Sequence, residues 1–376
     1  MTSTHTEEAP APIATEILTL NVGPQHPSTH GVLRVLAKLD GEIIRHAEPH
    51  IGYLHSSCEK IVENRTYPQC VPLLDRFDYL SALFYELAFV RAVEELMEIE
   101  VPERARYLRT ITCELNRIAS HLVFVATFAL DLGATTVFLY CFRDREIILD
   151  ILEELTGARL TYNYFRIGGC AADVPPGFLD ECLRFVEYLP DRLQEIDRIL
   201  TGNRIFLART RDIGRIAAAD AINWGCSGPM LRGSGVPFDL RKAAAYEAYA
   251  AMDFDVCTRD EGDVLARYLV RLDEIGESLK IIEQGVNALP DGEIRAKVPR
   301  RIRPPEGQTY ARVESPRGEL GMLVASDGSD SPYRVKVRAP SFCNLATLPA
   351  LAKDHLVADL VAIIGSIDIV LGDVDR

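Results

Sequence analysis

Hydrophobic residues follow two periods along this chain, and the change from one to the other marks its organisation. Ile17 to Val22 is a β-rich run that leads into a Gly/Pro-punctuated loop, and Val32–Leu39 and Glu42–Ala47 flank Asp40-Gly41. Asp-Gly between apolar runs is a strong hairpin signal, so this stretch predicts antiparallel sheet. From about Ser57 the period turns helical. One predicted helix is capped by Asp78 and carries Leu80, Leu83, Leu87, Val90, Val93 and Met97 on one side. A longer one begins at Pro102, where a first-turn proline is tolerated, and runs to about Leu132. Along it Leu108, Ile111, Leu115, Ile118, Leu122, Val125 and Ala129 alternate spacings of three and four, one face of an amphipathic helix. Further helices are predicted over Val137–Thr156, closed by Gly157, and over Gly177–Leu200, Leu240–Tyr249 and Gly262–Asn287. Period two returns in Tyr310–Val313, Leu320–Ala325 and Tyr333–Arg338, a three-stranded meander, before a last helix from about Leu348.

The fold class that follows is α+β, a helical body with small antiparallel sheets near both ends. Residues 1–16 read as a flexible tail and 17–376 as one domain. That domain comprises a hairpin region (17–56), a helical body (57–300) and a C-terminal meander with a helix (308–376). Leu122 to Phe142 contains a single charged residue, Asp131, and has the length of a membrane span. Gly133 interrupts it, however, and its apolar stripe starts upstream in charged sequence. A core helix of a soluble, membrane-associated protein is the reading that fits.

With 55 acidic against 41 basic residues the formal charge is −14, which disfavours nucleic acid and anionic lipid as partners of the general surface. No two of the nine cysteines stand at Cys-x-x-Cys spacing, so zinc and iron–sulfur patterns are absent and free thiols in a reducing compartment are expected. INWGCSGPMLRGSG matches neither a dinucleotide fingerprint nor a P-loop and reads as turn chemistry. RAKVPRRIRPP is a basic patch on an acidic chain, read as a solvated loop with docking as its alternative.

Three clusters can carry chemistry. NVGPQHPSTHG places His26 and His30 on a shaped loop, two imidazoles able to present protons near neutral pH. LLDRFDYLS places Arg76 and Tyr79 beside two carboxylates at a helix start, where the tyrosine can donate a proton. Asp131 sits in the last turn of the apolar helix, where the dipole disfavours an anion, so a perturbed or paired carboxylate is expected.

NVGPQHPSTHGVLRV, GYLH followed by EK, LLDRFDYLS, ALDLGATT, YFRIGG, ESPRGELG, SDGS with PYR and RAP, and AIIGSIDIVLGDVDR stand in an order that resembles one family throughout. That family is the quinone-site (D) subunits of the proton-pumping NADH:quinone oxidoreductase (complex I), related to the large subunits of nickel–iron hydrogenases. The resemblance implies a vacated nickel pocket. Cys70 has no cysteine partner three residues on, and Val370 and Asp373 stand at the C-terminal cysteine places, so no metal is expected.

The resemblance further implies that quinone is held between His30 and Tyr79, with Asp131 behind the histidine and His26 as a secondary residue. Arg76 would lie near a terminal iron–sulfur cluster. The same resemblance implies that the chain is inactive alone and carries no flavin. Its implied partners are an iron–sulfur component (B), a further component (C) and a membrane component (H), with FMN and the clusters held by other chains. The implied place is the cytoplasmic side of the bacterial cell membrane. Ser56 stands where the family often has Arg, and Thr161 and Tyr162 stand where many members have His. The alternatives are a nickel-holding hydrogenase subunit, a non-catalytic scaffold, and the ferredoxin-fed photosynthetic form of the same complex.

Overall fold

In the hairpin, alternation becomes burial. Val35, Ala37 and Leu39 of β2 (Arg34–Asp40) and Ile44 and Ala47 of β3 (Ile43–His50) face the core, with β1 (Ile17–Val22) paired on the other edge of β2. The turn is Gly41-Glu42, and Gly41 takes the positive φ of 62° that a two-residue hairpin asks of its glycine. The computed structural model describes residues 16–25 and 32–376. The expected flexible tail therefore lies outside the described residues up to residue 15.

Short helices α1 (Cys58–Val62) and α2 (Tyr67–Leu74) lead to α3 (Ala82–Leu96), then α4 (Glu103–Asp131) and α5 (Thr135–Thr156), which Gly157 closes at φ 77°. Two short strands, β4 (Phe165–Arg166) and β5 (Gly169–Cys170), precede α6 (Phe178–Ile196). Next come α7 (Arg204–Ala208), α8 (Ala218–Asn223), α9 (Pro229–Arg232), α10 (Leu240–Ala243) and the long α11 (Val264–Asn287), capped by the Asp263 carboxylate. The meander β6 (Gly307–Ser315), β7 (Gly318–Ser326) and β8 (Arg334–Arg338) is antiparallel throughout. The chain finishes with α12 (Pro340–Leu345), α13 (Leu348–Ala352), α14 (Val357–Ile367) and α15 (Leu371–Asp375).

Every residue of the predicted α4 stripe is buried, and so is most of the rest of that helix, because α3, α5, α11 and α14 all pack on it. Its most apolar window has the length and hydropathy of a membrane span yet is 89% buried inside the protein, so it is a core helix. The polar positions on its buried flanks are absorbed by ion pairs. Arg109 meets Glu94 at 2.6 Å, and Glu114 meets Arg117 at 3.1 Å and Arg241 at 3.2 Å. The α+β expectation holds.

Four local expectations need correction. Asp78 caps nothing. Ser81 precedes α3, and Asp78 is drawn inward by a buried arginine. Pro102 occupies the cap position and not the first turn. The helix predicted over 240–249 stops at Ala243, because Glu247, at φ 46°, turns back so that its carboxylate reaches Arg109 at 3.3 Å. The last helix is three, broken at Asp354 and Asp368, both in left-handed backbone.

Candidate functional site

Tyr79 lies in the turn between α2 and α3, 42% exposed. Immediately behind it Asp78 is fully buried. Its carboxylate accepts the Leu80 N–H at 3.2 Å and the Ser81 hydroxyl, and pairs with the Arg317 guanidinium at 2.8 Å. Arg317 comes from the turn between β6 and β7, donates to the Ser120 hydroxyl of α4 at 3.0 Å, and approaches Asp368 at 3.4 Å. Arg271 of α11 lies 3.6 Å from the same aspartate. Four distant segments are thus joined under the Tyr79 turn by alternating charges.

The phenol responds to this setting. Burial, foremost, and then the Asp78 carboxylate raise the Tyr79 pKa above its usual value, while Arg317 opposes them. At neutral pH the hydroxyl keeps its proton and is a donor.

Asp131 ends α4 and is half-buried. Gly365 of α14 packs against that end. A Cβ there would lie 2.9 Å from the Phe128 ring and 3.9 Å from the Asp131 Oδ2 atom, so the missing side chain lets the two helices close together. The other flank of α14 meets β1. An apolar hollow of about 260 Å³ is lined there by Leu20, Val22, Leu360, Val361 and Ile364. His26 and His30 lie outside the described residues, between the end of β1 and the start of β2. Those strands are paired as far as Val22 and Val35. Of the predicted site, the structure therefore places Tyr79 and Asp131 on parts that Arg317 and α14 tie together, and it places β1, the strand that precedes the histidine loop, beside α14.

Arg76 is exposed, donating to Asp75 at 2.9 Å and to the Pro72 carbonyl. Burial pushes the Asp75 carboxyl up to about 7 even with Arg76 beside it. Glu86 was not anticipated from sequence. It is fully buried, accepts the Tyr164 and Phe165 N–H groups at 2.8 Å each, and is pushed up by burial to about 8. Arg317 and Asp368 were missed as site residues as well. The only signal was the polar character of Pro-Arg-Gly and Ile-Asp-Ile within otherwise apolar surroundings.

At the three positions compared with cysteine ligands, Cys70 is a buried thiol that burial pushes up to about 12. Val370 is core, and Asp373 accepts hydrogen bonds from the Tyr85 hydroxyl and, at 2.9 Å, the Ser341 N–H. The remaining motifs interlock nearby. The Asp375 carboxylate accepts the Gly52 and Leu54 N–H groups at 2.7 Å each, and Glu59 takes Lys336 at 2.9 Å.

The profile of the family described as respiratory-chain NADH dehydrogenase, 49 Kd subunit, matches residues 131–304 and 297–376. A protein of Geobacillus kaustophilus, named as the D subunit of NADH-quinone oxidoreductase, is 53% identical over 364 residues, 96% of this chain and 99% of that one. Proteins of the same name from Chlorobium luteolum and Desulforamulus reducens are 54% and 50% identical. They cover 97% and 96% of this chain, and 94% and 99% of their own lengths.

Proposed function

This chain belongs to the family of the 49 kDa subunit of respiratory-chain NADH dehydrogenase, whose fold is of the hydrogenase large-subunit type, and we propose that it forms the quinone-reducing pocket of such a complex. In this reading an adjacent iron–sulfur component (B) delivers electrons to the pocket, and the C component and a membrane component (H) complete the surroundings. The assembly lies on the cytoplasmic side of the bacterial membrane and couples quinone reduction to proton pumping. The chain is inactive alone, and residues 17–376 act as one domain.

Reducing a quinone to a quinol adds two electrons and two protons, and negative charge builds on the two ring oxygens as the electrons arrive. Tyr79 donates to one oxygen and His30 to the other. Asp131 orients the imidazole and stabilises its charged form. His26 is a second histidine of the same loop, and Arg76 faces the partner that carries the cluster. The apolar hollow between β1 and α14 suits a lipid-soluble substrate.

The observation that carries the reading is the Tyr79 phenol, exposed at one edge, kept protonated, and backed by the Asp78–Arg317 pair that holds its turn. The test is Tyr79→Phe in the assembled complex. NADH:quinone turnover should fall by about 10²-fold or more. NADH oxidation by hexacyanoferrate, which draws electrons upstream of the pocket, should persist. Unchanged quinone turnover would reject the proposal.

A further inference from the structure

The basic segment expected to be a solvated loop is held down in an extended conformation. The Cys170 N–H donates to the Ile294 carbonyl at 2.9 Å, the Ala296 N–H donates to the Gly168 carbonyl at 2.8 Å, and Gly169 pairs with Arg295 as an antiparallel bridge. Gly169 is what permits this approach, since a Cβ on it would stand 2.1 Å from the Ile294 carbonyl oxygen. Period two then sorts the side chains. Ile294, Ala296 and Val298 are half-buried, while Arg295 and Lys297 are exposed.

Between this segment, the β4–β5 turn and α2 lies a cleft of about 590 Å³. Its apolar lining includes Val71 and Ile302, both buried. Its charged lining is Arg166, Arg295, Lys297 and Arg300, with no acidic residue among the groups that line it. Arg166 reaches in from a distant part of the sequence, half-buried, and its hydrogen bonds go to Asn163 and the Phe165 carbonyl. Burial, foremost, and Arg295 lower its pKa, with Glu86 opposing. Among the described residues none of these four cations forms an ion pair, although the chain holds 55 acidic residues against 41 basic. Elsewhere even an exposed arginine such as Arg159 collects three carboxylates.

We infer that this cleft is a docking seat for an acidic segment of an adjoining protein subunit, whose carboxylates pair with Arg166, Arg295, Lys297 and Arg300 while its apolar side chains rest on Val71 and Ile302. Guanidinium and carboxylate match in charge and in two-pronged geometry, and the mixed lining suits a peptide better than a bare anion. An extended polyanionic surface such as a membrane or nucleic acid would also meet the rest of a chain whose formal net charge is −14.

The test uses the assembled complex. A carbodiimide joins amines to carboxylates with no spacer, so Lys297 should yield an amide to an aspartate or glutamate of another subunit, found by mass spectrometry and absent in Lys297→Gln. Acylation of Lys297 should be about tenfold slower in the complex than in the free chain, in keeping with burial at an interface. The charge-reversed variant R295E/K297E/R300E should fold, because its substitutions replace exposed cations that hold no partner. It should lose neighbouring subunits at salt concentrations the parent complex withstands. Cross-links confined to this chain, or equal acylation in both states, would overturn the inference. So would purified chain that binds anionic phospholipid vesicles but not a hexaglutamate peptide through these residues.

Discussion

The Asp78 carboxylate and the Arg317 guanidinium meet at 2.8 Å in the protein interior although 239 residues separate them in sequence. The arginine also faces Asp368, so its removal strands the buried Asp78 carboxylate and leaves Asp368 with Arg271 as its one remaining cation among the described residues. Arg317→Met should therefore destabilise the purified chain by about 3–5 kcal/mol in urea denaturation. Adding Asp78→Asn should return part of that loss, because the second change removes the stranded charge. Additive losses would show that the pair does not act as a unit.

Glu86 sets a pH dependence of one sign. Its folded pKa, raised to about 8, lies above the ordinary value of 4.5, so the folded chain binds more protons between those limits. Stability from this group is full at acid pH and is lost as the pH rises through 8. Thermal unfolding from pH 6 to 8.5 should show a decline of about 2 kcal/mol attributable to this residue. Glu86→Gln, which mimics the protonated form, should flatten it.

His121 works in the opposite direction. Its Nε2 lies 2.9 Å from Glu274, yet burial outweighs that partner and pulls the imidazole down to about 4. Below pH 6.5 the unfolded chain takes the proton more readily, so stability falls as the pH drops from 6.5 towards 4. At pH 4.5 the loss from this residue should be about 2 kcal/mol, and His121→Gln should lose less on acidification. An identical acid profile in the variant would assign the acid sensitivity to other groups.

Gly365→Ala tests the seam between α14 and α4. The new methyl would press on Phe128 and shift the end of α4 that carries Asp131. Quinone turnover of the complex should fall about tenfold or more, since a small misplacement of a reacting group is costly. Hexacyanoferrate reduction should remain. A complex with full quinone turnover would mean that the Asp131 position tolerates the shift.

Much of the architecture was legible from local signals. The strands of the N- and C-terminal sheets (though not the short β4–β5 pair), the length of α4 and the Gly157 stop follow from period, turn chemistry and capping, all of which act within a few residues. What escaped is long-range. Asp78 looks like a cap and Glu247 like part of a helix because their arginine partners lie far away in sequence. The site is split along the same line. Tyr79 and Asp131 were visible as polar residues at helix ends, whereas Arg317, Asp368 and Glu86 acquire meaning only when separate segments meet. The roles towards quinone proposed for Tyr79 and Asp131 come from resemblance and not from spacing.

Among the described residues seven arginines, Arg109, Arg117, Arg232, Arg241, Arg267, Arg271 and Arg317, are wholly enclosed. Around these arginines the interior resembles an ionic lattice set within the apolar core. Arg267 is held by the Gly214 and Gly262 carbonyls and the Ser366 hydroxyl, but the other six sit beside carboxylates. Changing one of those six weakens the support of an opposite charge, so sequence drift there must proceed by matched acid and base replacements made together. Engineering that replaces single core positions by aliphatic residues should fail at the paired arginines and succeed only when whole pairs are exchanged at once.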